Sequence, residues 1–317
     1  MSELGLITNP TAASGRGAKW GAEAAAELAR LGHRLRDLSR GSWAASYEAA
    51  MEHRDELDAL VVVGGDGMVH LGAQVCAEHS LPLGVMAAGS GNDVASTLRL
   101  PIHDMRAAAR RLDDGLTGES VQVDVGRLTG PSIEYPASPR YFLAVLSAGI
   151  DAAVAAYGSR LTFPRGPLKY KVATFREIPR YQPYGVSVTL GDGPQEDTRC
   201  TLVAVANTPV FGGGLVISPD SSMTDGLLEA VVTEPLTRRE ILQIFPKLRD
   251  GSHKGDPRIR TVQTTSVTIT QHMQGATLPV AFADGELVGA EPLVVDVAPL
   301  GLTVLGGAPR CAGQSAQ

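Results

Sequence analysis

Cysteine is scarce in this sequence of 317 residues, and its spacing excludes two classes of protein. The three cysteines, Cys76, Cys200 and Cys311, lie far apart, and none belongs to a Cys-x-x-Cys pair. A disulfide-held secreted domain needs a dense, even set of cysteines, and a structural zinc site needs closely spaced Cys and His ligands. We therefore expect neither, and a reducing cytoplasm fits this cysteine usage.

Long apolar runs and an excess of positive charge are also missing. No apolar stretch approaches the roughly 18 residues of a membrane span, so we expect no transmembrane segment and only peripheral contact with a membrane. Lys and Arg number 28 against 34 Asp and Glu, which gives a formal net charge of -6. Because nucleic-acid binding needs clustered cations, we expect no nucleic-acid partner. The Walker motif G-x-x-x-x-G-K-[ST] is absent as well.

The two halves of the chain differ in their hydrophobic pattern. Residues 1–120 alternate short apolar runs with longer segments of helical period, which predicts a three-layer α/β domain around a parallel sheet. Its predicted strands are 4–8, 34–38, 60–63 and 83–87. Residues 121–300 contain β-branched runs separated by Gly, Pro and Asp, with helical exceptions at 152–157, in part of 168–180 and at 237–245. This pattern predicts an antiparallel sandwich or barrel.

Three of the predicted strands end in turns of small residues. The turns are "NPTAASGRG", "GGDG" and "AGSGND". Since the carboxyl ends of parallel strands share one edge of a sheet, we expect the three turns to lie together. Small residues let backbone N–H groups approach an anion, and each following helix presents its positive end there. The sequence therefore predicts a polyphosphate site at this edge.

The first turn also allows a different interpretation. "GRGAKWG" is one residue off the dinucleotide-binding fingerprint, and Asp37 lies where a ribose-binding acid would be expected. A hydride-transfer enzyme is therefore an alternative. That hypothesis leaves the other two glycine-rich turns without a role.

Carboxylates accompany the predicted phosphate site. Asp66 and Asp93 follow two of the turns, and Asp284 lies in "FADGE". A phosphate repels a nearby acid unless a divalent cation lies between them or the acid accepts a proton. A helix cap explains Asp93 equally well. For Asp66 the functional role is favoured.

These motifs together resemble a known family. "NPTAASGRG", "VVVGGDGMVH", "GVMAAGSGNDVA", "VDVGRL", "FGGGLVISPDSSMTDGLLEAVV" and "FADGE" occur in the order and approximate spacing of the diacylglycerol kinase catalytic family, which includes sphingosine and ceramide kinases. NAD kinases share GGDG, but the last two motifs resemble the lipid kinases specifically. The resemblance covers nearly the whole chain. It implies an ATP-binding α/β first domain, an antiparallel β-sandwich second domain for the lipid substrate, and a segment near 300–310 that packs back on the first.

The resemblance also implies roles for individual residues. Those that would line the ATP phosphates are Asn9, Pro10, Ser14, Gly15, Gly64, Gly65, Asp66, Gly67, Gly89, Ser90 and Asn92. Asp66, Asp93 and Asp124 match acids of the active-site network. Asp284 matches the general base, with Glu286 beside it linked to Mg²⁺. Asp66 is the alternative base.

A second magnesium role follows from the same resemblance. Asp225 in "MTDGLL" matches a structural Mg²⁺ ligand that is assisted by the carbonyls of Ser222 and Leu227. An ordinary Asp-Gly turn between strands fits this segment equally well.

The expected function is transfer of the γ-phosphoryl group of Mg-ATP to a lipid hydroxyl, in diacylglycerol or else in a sphingoid base or ceramide. Met68 and His70 depart from the common bacterial GGDGT motif and look more like the sphingosine kinase form, so the acceptor stays open. We expect His70 to be a surface or packing residue rather than a catalyst. An NAD kinase-like soluble-substrate kinase and a non-catalytic nucleotide-binding regulator are alternatives.

The expected location is the cytoplasm with transient membrane contact. "RLTFPRGPLKYKVATFR" mixes cations with Phe, Leu and Tyr, which suits an anionic interface, although an ordinary solvated helix also explains it. An edge strand of the second domain would permit a homodimer.

Overall fold

The structure is a computed structural model that describes residues 1–10, 16–118, 120–133, 140–163 and 168–308. Its internal contacts divide the chain into two compact units. Unit 1 comprises Met1–Val125, Met223–Asp225 and, at the end of the described chain, residues 298–308, and unit 2 comprises Gly126–Ser222 and Gly226–Val297. Each unit contains its own buried apolar core.

A parallel sheet forms the centre of unit 1. Its strands are β1 (Glu3–Thr8), β2 (Arg34–Asp37), β3 (Ala59–Gly64) and β4 (Leu83–Ala87). They lie in the order β2-β1-β3-β4, and all their pairings are parallel. The end of the last strand, β18 (Leu293–Leu305), joins β4 in parallel, with Val304 beside Leu83. The predicted parallel sheet is confirmed.

Helices cover both faces of this sheet. They are α1 (Gly17–Arg30), α2 (Trp43–His53), α3 (Asp66–Cys76), α4 (Asp93–Thr97) and α5 (Met105–Thr117). Val61 of β3 shares a core with Leu28 of α1 and Leu112 of α5. The side chain of its neighbour Val62 points to the opposite face of the sheet, as expected from the alternation of a strand. There it lies next to α3, since a Cβ added to Gly72 would be 3.2 Å from it. The alternation of the buried strand therefore produces three layers.

Two antiparallel sheets enclose the core of unit 2. In one sheet β15 (Ser266–Gln271) pairs with β18 and with β8 (Tyr184–Leu190), which pairs with β9 (Glu196–Cys200). The other has the order β14-β13-β10-β7-β16-β17. Its strands are β7 (Val145–Gly149), β10 (Leu202–Ala206), β13 (Leu228–Thr233), β14 (Ile259–Thr264), β16 (Ala281–Ala283) and β17 (Glu286–Gly289). Val186 and Val267 of one sheet pack with Val203 and Ala230 of the other, which confirms the predicted β-sandwich.

The remaining elements are two further strand pairs and three helices. Strands β5 (Ser120–Thr129) and β6 (Arg140–Phe142) pair with each other, as do β11 (Val210–Phe211) and β12 (Leu215–Val216). The helices are α6 (Ile150–Arg160), α7 (Leu168–Glu177) and α8 (Arg238–Ile244), at the three places where helices were predicted. Among the described residues, no helix is both long and apolar enough to cross a membrane.

Candidate active site

The first glycine-rich turn begins beside the end of β3. Asn9 and Pro10 follow β1 directly, and the Asn9 N–H donates to the carbonyl of Val63 at 3.4 Å. The parallel pairing of β1 with β3 dictates this approach. Ser14 and Gly15, also predicted to line the phosphates, lie outside the described residues.

The second and third turns touch each other through glycine. Gly64 ends β3 and Gly65 immediately precedes α3, while Gly89 follows β4. A Cβ added to Gly89 would lie 2.3 Å from the Cα of Gly65, closer than any real contact. The two turns therefore meet only because both residues lack a side chain.

Asp66 braces these two turns together. Its Oδ2 accepts a hydrogen bond from the Asn92 N–H at 2.9 Å, and its Oδ1 accepts one from the Asp93 N–H at 2.9 Å. These N–H groups lie at the start of α4, where a carboxylate is favoured by unpaired donors and the helix dipole. Asp93 was considered as the residue that caps this helix. Instead, the carboxylate of Asp66, from the neighbouring turn, accepts the N–H groups at the start of the helix.

Asn92 gives the third turn its shape. It lies in the left-handed region with φ of 64°, which asparagine tolerates better than most residues. Its Nδ2 donates to the Gly89 carbonyl at 2.9 Å, and its Oδ1 accepts from the Gly89 N–H at 2.8 Å. Ser90 is exposed at the tip of this turn, and Asp93 is buried as the first residue of α4. Gly89, Ser90 and Asn92, all predicted to line the phosphates, thus lie in one loop.

Aromatic residues that the sequence analysis missed adjoin the turns. His103 Nε2 lies 2.8 Å from the Gly89 carbonyl, and its ring stacks on Trp20 at a centroid distance of 6.0 Å. Trp43 Nε1 donates to the carbonyl of Gly67 at 3.4 Å. The chain has just two tryptophans, and the position of Trp20 directly after the first turn was an available signal.

His70 packs in the interior, one of the two non-catalytic positions expected of it, and does not lie at the surface. It is fully buried in α3, and its ring centroid lies 6.3 Å from that of Trp43.

Asp124 joins three stretches of unit 1. Its side chain is fully buried, and Oδ1 accepts from the Leu300 N–H at 2.8 Å. Its own N–H donates to the carbonyl of Met223 at 2.7 Å. These bonds favour a structural role for Asp124, and its membership of an active-site network stays a prediction.

Asp284 occupies a tight turn in unit 2. Asp284 and Gly285 connect β16 to β17 with φ of 52° and 83°, the positive values of the hairpin turn that favours Asp-Gly. The carboxylate accepts hydrogen bonds from the N–H groups of Leu143 at 3.0 Å and Ala144 at 2.7 Å. The turn and these two donors fix the position of the predicted base.

Arg140 shares the surroundings of Asp284 and Glu286. Burial lowers the pKa of the Arg140 guanidinium, whereas the negative charges of Glu286 and Asp284 raise that pKa. The guanidinium therefore lies within electrostatic reach of both predicted acids. A single Arg at the start of a short strand carries no sequence signal, so Arg140 was not among the predicted site residues.

A groove of about 170 Å³ lies between α6 and the β16–β17 hairpin. Its lining comprises Ala156, Ser159, Arg160, Val280, Phe282, Gly285, Glu286 and Leu287. Apolar side chains with a few polar groups are typical of sites for apolar ligands. Since Gly285 and Glu286 line it, the groove adjoins the predicted base.

The predicted structural magnesium ligands lie in one short segment. Asp225 belongs to unit 1, Ser222 and Leu227 belong to unit 2, and Gly226 between them has a positive φ of 74°. Across the described parts of the chain, no three His, Cys, Asp or Glu side chains form a group that could hold a metal. A Mg²⁺ ion would therefore take backbone carbonyls or ligand phosphates besides carboxylates, and these are the hard oxygen donors that it prefers.

The architecture and its turns define a class of protein. An α/β unit with glycine-rich turns at one sheet edge, together with a β-sandwich, is matched by two family models. Residues 3–128 match the diacylglycerol kinase catalytic domain, and residues 144–306 match the YegS C-terminal NAD kinase beta sandwich-like domain.

Whole-chain relatives narrow this class. The chain is 31% identical over 311 residues to a diacylglycerol kinase of Mycobacterium tuberculosis (strain H37Rv), covering 96% of this chain and 95% of the relative. A diacylglycerol kinase of Bacillus subtilis is 25% identical over 235 residues, or 73% of this chain and 72% of the relative. The chain belongs to the diacylglycerol kinase family, and it is a kinase.

Solved structures share the fold. A crystal structure of a diacylglycerol kinase from Bacillus anthracis superimposes with a TM-score of 0.67 at 20% identity, covering 96% of each chain. Yeast NADH kinase has a TM-score of 0.51 at 12% identity, covering 97% of this chain and 84% of that chain. At these identities the likeness describes the fold alone.

Proposed function

We propose that this kinase transfers the γ-phosphoryl group of ATP, bound as its Mg²⁺ complex, to a lipid hydroxyl, and that the lipid is diacylglycerol. The observation that carries the proposal is the 31% identity, over nearly the full length of both chains, to a protein named diacylglycerol kinase. Sphingoid bases and ceramide are the other acceptors to test, because Met68 and His70 depart from the common bacterial motif.

The turns of unit 1 supply the donor site in this proposal. Because Gly65 and Gly89 lack side chains, a polyphosphate can approach the backbone of both turns closely. The carboxylate of Asp66 would repel that polyphosphate if it were free. Two N–H donors compensate its charge, so Asp66 can brace the turns beside the phosphates.

Asp284 is the proposed base. The lipid hydroxyl oxygen forms a bond to the γ-phosphorus, the bond from that phosphorus to the bridging oxygen breaks, ADP leaves, and the hydroxyl proton passes to the Asp284 carboxylate. The backbone N–H groups of Leu143 and Ala144 donate one hydrogen bond to each of its oxygens and so hold the carboxylate in place. Phosphoryl transfer depends chiefly on positioning and charge stabilisation, and a fixed carboxylate provides positioning.

The donor atoms of the chain fit Mg²⁺. Glu286 offers a carboxylate beside the proposed base, and Asp225 offers one in a segment with the carbonyls of Ser222 and Leu227. Mg²⁺, when bound, neutralises negative charge on the phosphates and orients them. In our proposal Arg140 counters the negative charges of Asp284 and Glu286 on the protein side.

Measuring transfer of labelled phosphate separates the candidate functions. The purified chain is incubated with γ-labelled ATP and Mg²⁺ against diacylglycerol, sphingosine, ceramide and NAD, each lipid in mixed micelles. We expect label on diacylglycerol. Label on NAD alone would overturn the lipid proposal in favour of the soluble-substrate kinase, and ATP binding with no labelled acceptor would favour the regulator.

A further inference from the structure

His103 approaches the third turn from outside the glycine-rich motifs. It lies between α4 and α5, in the stretch "LPIHD". Its N–H donates to the carbonyl of Ala87, at the end of β4, at 2.9 Å, and Ile102 forms a parallel bridge with the same residue. The φ of His103 is 59°, in the left-handed region that residues other than glycine seldom adopt. The backbone of His103 is thus tied to the strand from which the third turn begins.

The side chain of His103 helps to hold the carbonyl of Gly89. This oxygen accepts one hydrogen bond from Asn92 Nδ2 at 2.9 Å and another from His103 Nε2 at 2.8 Å. A carbonyl oxygen only accepts, so Nε2 of His103 carries the hydrogen. The oxygen has two acceptor positions, and both are occupied. The two donors therefore fix the orientation of the peptide group between Gly89 and Ser90.

The orientation of this peptide group determines where the Ser90 N–H points. In a trans peptide the carbonyl and the following N–H point in opposite directions, and among the described residues the one cis peptide bond is Glu291–Pro292. Gly89 is buried, whereas Ser90 is exposed at the tip of the turn. Within the described parts of the chain, the Ser90 N–H has no acceptor. It is therefore directed outward, at the edge of the sheet where the phosphates are expected.

Trp20 connects His103 to the first turn. The imidazole and indole rings stack at a centroid distance of 6.0 Å and an interplanar angle of 24°. Trp20 is the fourth residue of α1, the helix that follows the first turn. The Asn9 bond to Val63 joins the first turn to the second, and Asp66 joins the second to the third. The stack supplies the remaining link, so that each turn is connected to the other two.

We propose that His103 is a positioning residue for ATP. Its Nε2–H fixes the Gly89 carbonyl and so directs the Ser90 N–H at an oxygen of the triphosphate, a charge-assisted hydrogen bond. Trp20 holds the imidazole ring in the position from which it donates. His103 itself touches neither substrate and enters no chemical step. The inference rests on the proposed use of ATP, and it adds a residue outside the motifs of the predicted phosphate site.

Isothermal titration of the full chain with ATP and Mg²⁺, without a lipid, tests the donor separately from the ring. His103→Phe keeps an aromatic ring beside Trp20 but removes the donor. The Kd for ATP should rise about three- to tenfold, the contribution of one hydrogen bond. His103→Gln restores an N–H donor without the ring, and it should bring the Kd back to within about twofold of the parent value. The reverse pattern, with weak binding in His103→Gln alone, would overturn the role of the donor.

A second ligand and a matched control complete the titration. Inorganic tripolyphosphate should lose affinity for His103→Phe by the same factor as ATP, because the third turn meets the phosphates. A loss for ATP without a loss for tripolyphosphate would overturn the inference. His79→Phe replaces another exposed histidine of unit 1, beyond the end of α3, and should bind both ligands as the parent does. An equal loss in this control would also overturn the inference.

Steady-state kinetics with a water-soluble short-chain diacylglycerol separate positioning from the chemical step. His103→Phe should raise the KM for ATP about three- to tenfold and leave kcat within about twofold of the parent value. A fall in kcat with an unchanged KM for ATP would contradict a positioning role. A parent chain that binds ATP but phosphorylates no lipid would refute the proposed function, and the titrations would still decide the role of His103. Unchanged ATP affinity and KM in His103→Phe would refute this inference and leave the proposed function standing.

Discussion

Replacing Asp284, the proposed base, with the isosteric asparagine tests its role most directly. Asp284→Asn keeps the shape but removes the proton acceptor, so we expect kcat to fall by about 10²–10⁴-fold, the usual contribution of a general base. The Kd for ATP should stay unchanged. The new amide turns an N–H group toward one of the donors at Leu143 and Ala144, which we expect to cost about 1–3 kcal/mol in the free energy of unfolding.

Steady-state kinetics with short-chain diacylglycerol, ATP titration calorimetry and thermal melting measure these three quantities. Asp192→Asn, in the exposed turn between β8 and β9 of the same unit, is the matched control and should change none of them. An unchanged kcat in Asp284→Asn would remove the base role from this residue and return it to Asp66.

Asp151, in the first turn of α6, ties the stability of the protein to pH. Burial raises the pKa of its carboxyl from 3.8 to about 6, against opposing hydrogen bonds from Ser147 and the Ala152 N–H. Between these values the unfolded chain loses the proton and the folded chain keeps it. Stability therefore falls as pH rises from about 4 to 6, by up to about 3 kcal/mol. Asp151→Asn should remove this loss.

Urea unfolding at several pH values measures the effect. We expect Asp151→Asn to be more stable than the parent at pH 7, with the difference shrinking toward pH 4, where the parent carboxyl is protonated in both states. A parent and variant with the same slope of stability against pH would show that Asp151 does not titrate in this range.

The contact of Gly65 with Gly89, between the second and third turns, predicts that a side chain at Gly89 will weaken ATP binding. Gly89→Ala places a Cβ 2.3 Å from the Cα of Gly65 and 2.9 Å from Asn92 Oδ1. Neither turn can give way without moving its backbone, so we expect the turns to separate and the Asp66 brace to weaken. ATP affinity should fall at least about tenfold, as expected when a close backbone approach to phosphate is lost.

Isothermal titration with ATP compares this variant with Gly41→Ala, another glycine of unit 1. A Cβ on Gly41 would have no atom within 4 Å. The control should bind ATP as the parent does. An equal loss in both variants, or none in Gly89→Ala, would show that the glycine contact does not shape the nucleotide site.

Local signals in the sequence were enough to predict the strands and turns, but not how the turns are held. Apolar runs and glycine clusters are properties of adjacent residues, so β1, β3 and β4 were predicted within one or two residues of their bounds. The brace from Asp66 to the start of α4 joins positions 26 and 27 residues apart. The donors to Asp284 are backbone N–H groups of Leu143 and Ala144, which no residue type can signal.

The set of chain segments that forms unit 1 could not be predicted from the sequence either, for a reason that concerns the whole molecule. The unit includes Met223–Asp225, a segment of three residues in the middle of the chain. So short a segment has no periodicity, and its bond from Asp124 to the Met223 carbonyl exists only in the folded protein. The parallel sheet and the β-sandwich were predictable because each repeats one pattern over many residues, whereas this insertion does not.

The end of β18 makes the stability of unit 1 depend on residues far from the nucleotide turns. Leu302, Val304 and Leu305 are buried in this unit, and Val304 pairs with Leu83 of β4. A chain ending at Val297 loses these three side chains, at about 1.5–3 kcal/mol each. The sum approaches the whole free energy of unfolding of a typical domain, about 5–15 kcal/mol. We therefore expect the truncated chain to lose ATP binding, although every predicted ATP residue precedes Asp93.

Truncation also leaves β4 as an edge strand whose side chains are all buried in the intact protein, and such an edge promotes aggregation. Size-exclusion chromatography and ATP titration should show an aggregating, non-binding chain when it ends at Val297. A chain ending at Ala308 retains the paired residues and should behave as the full chain does. If the shorter chain stayed monodisperse and bound ATP with an unchanged Kd, the terminal strand would be dispensable to unit 1, and the sheet would be complete at β4.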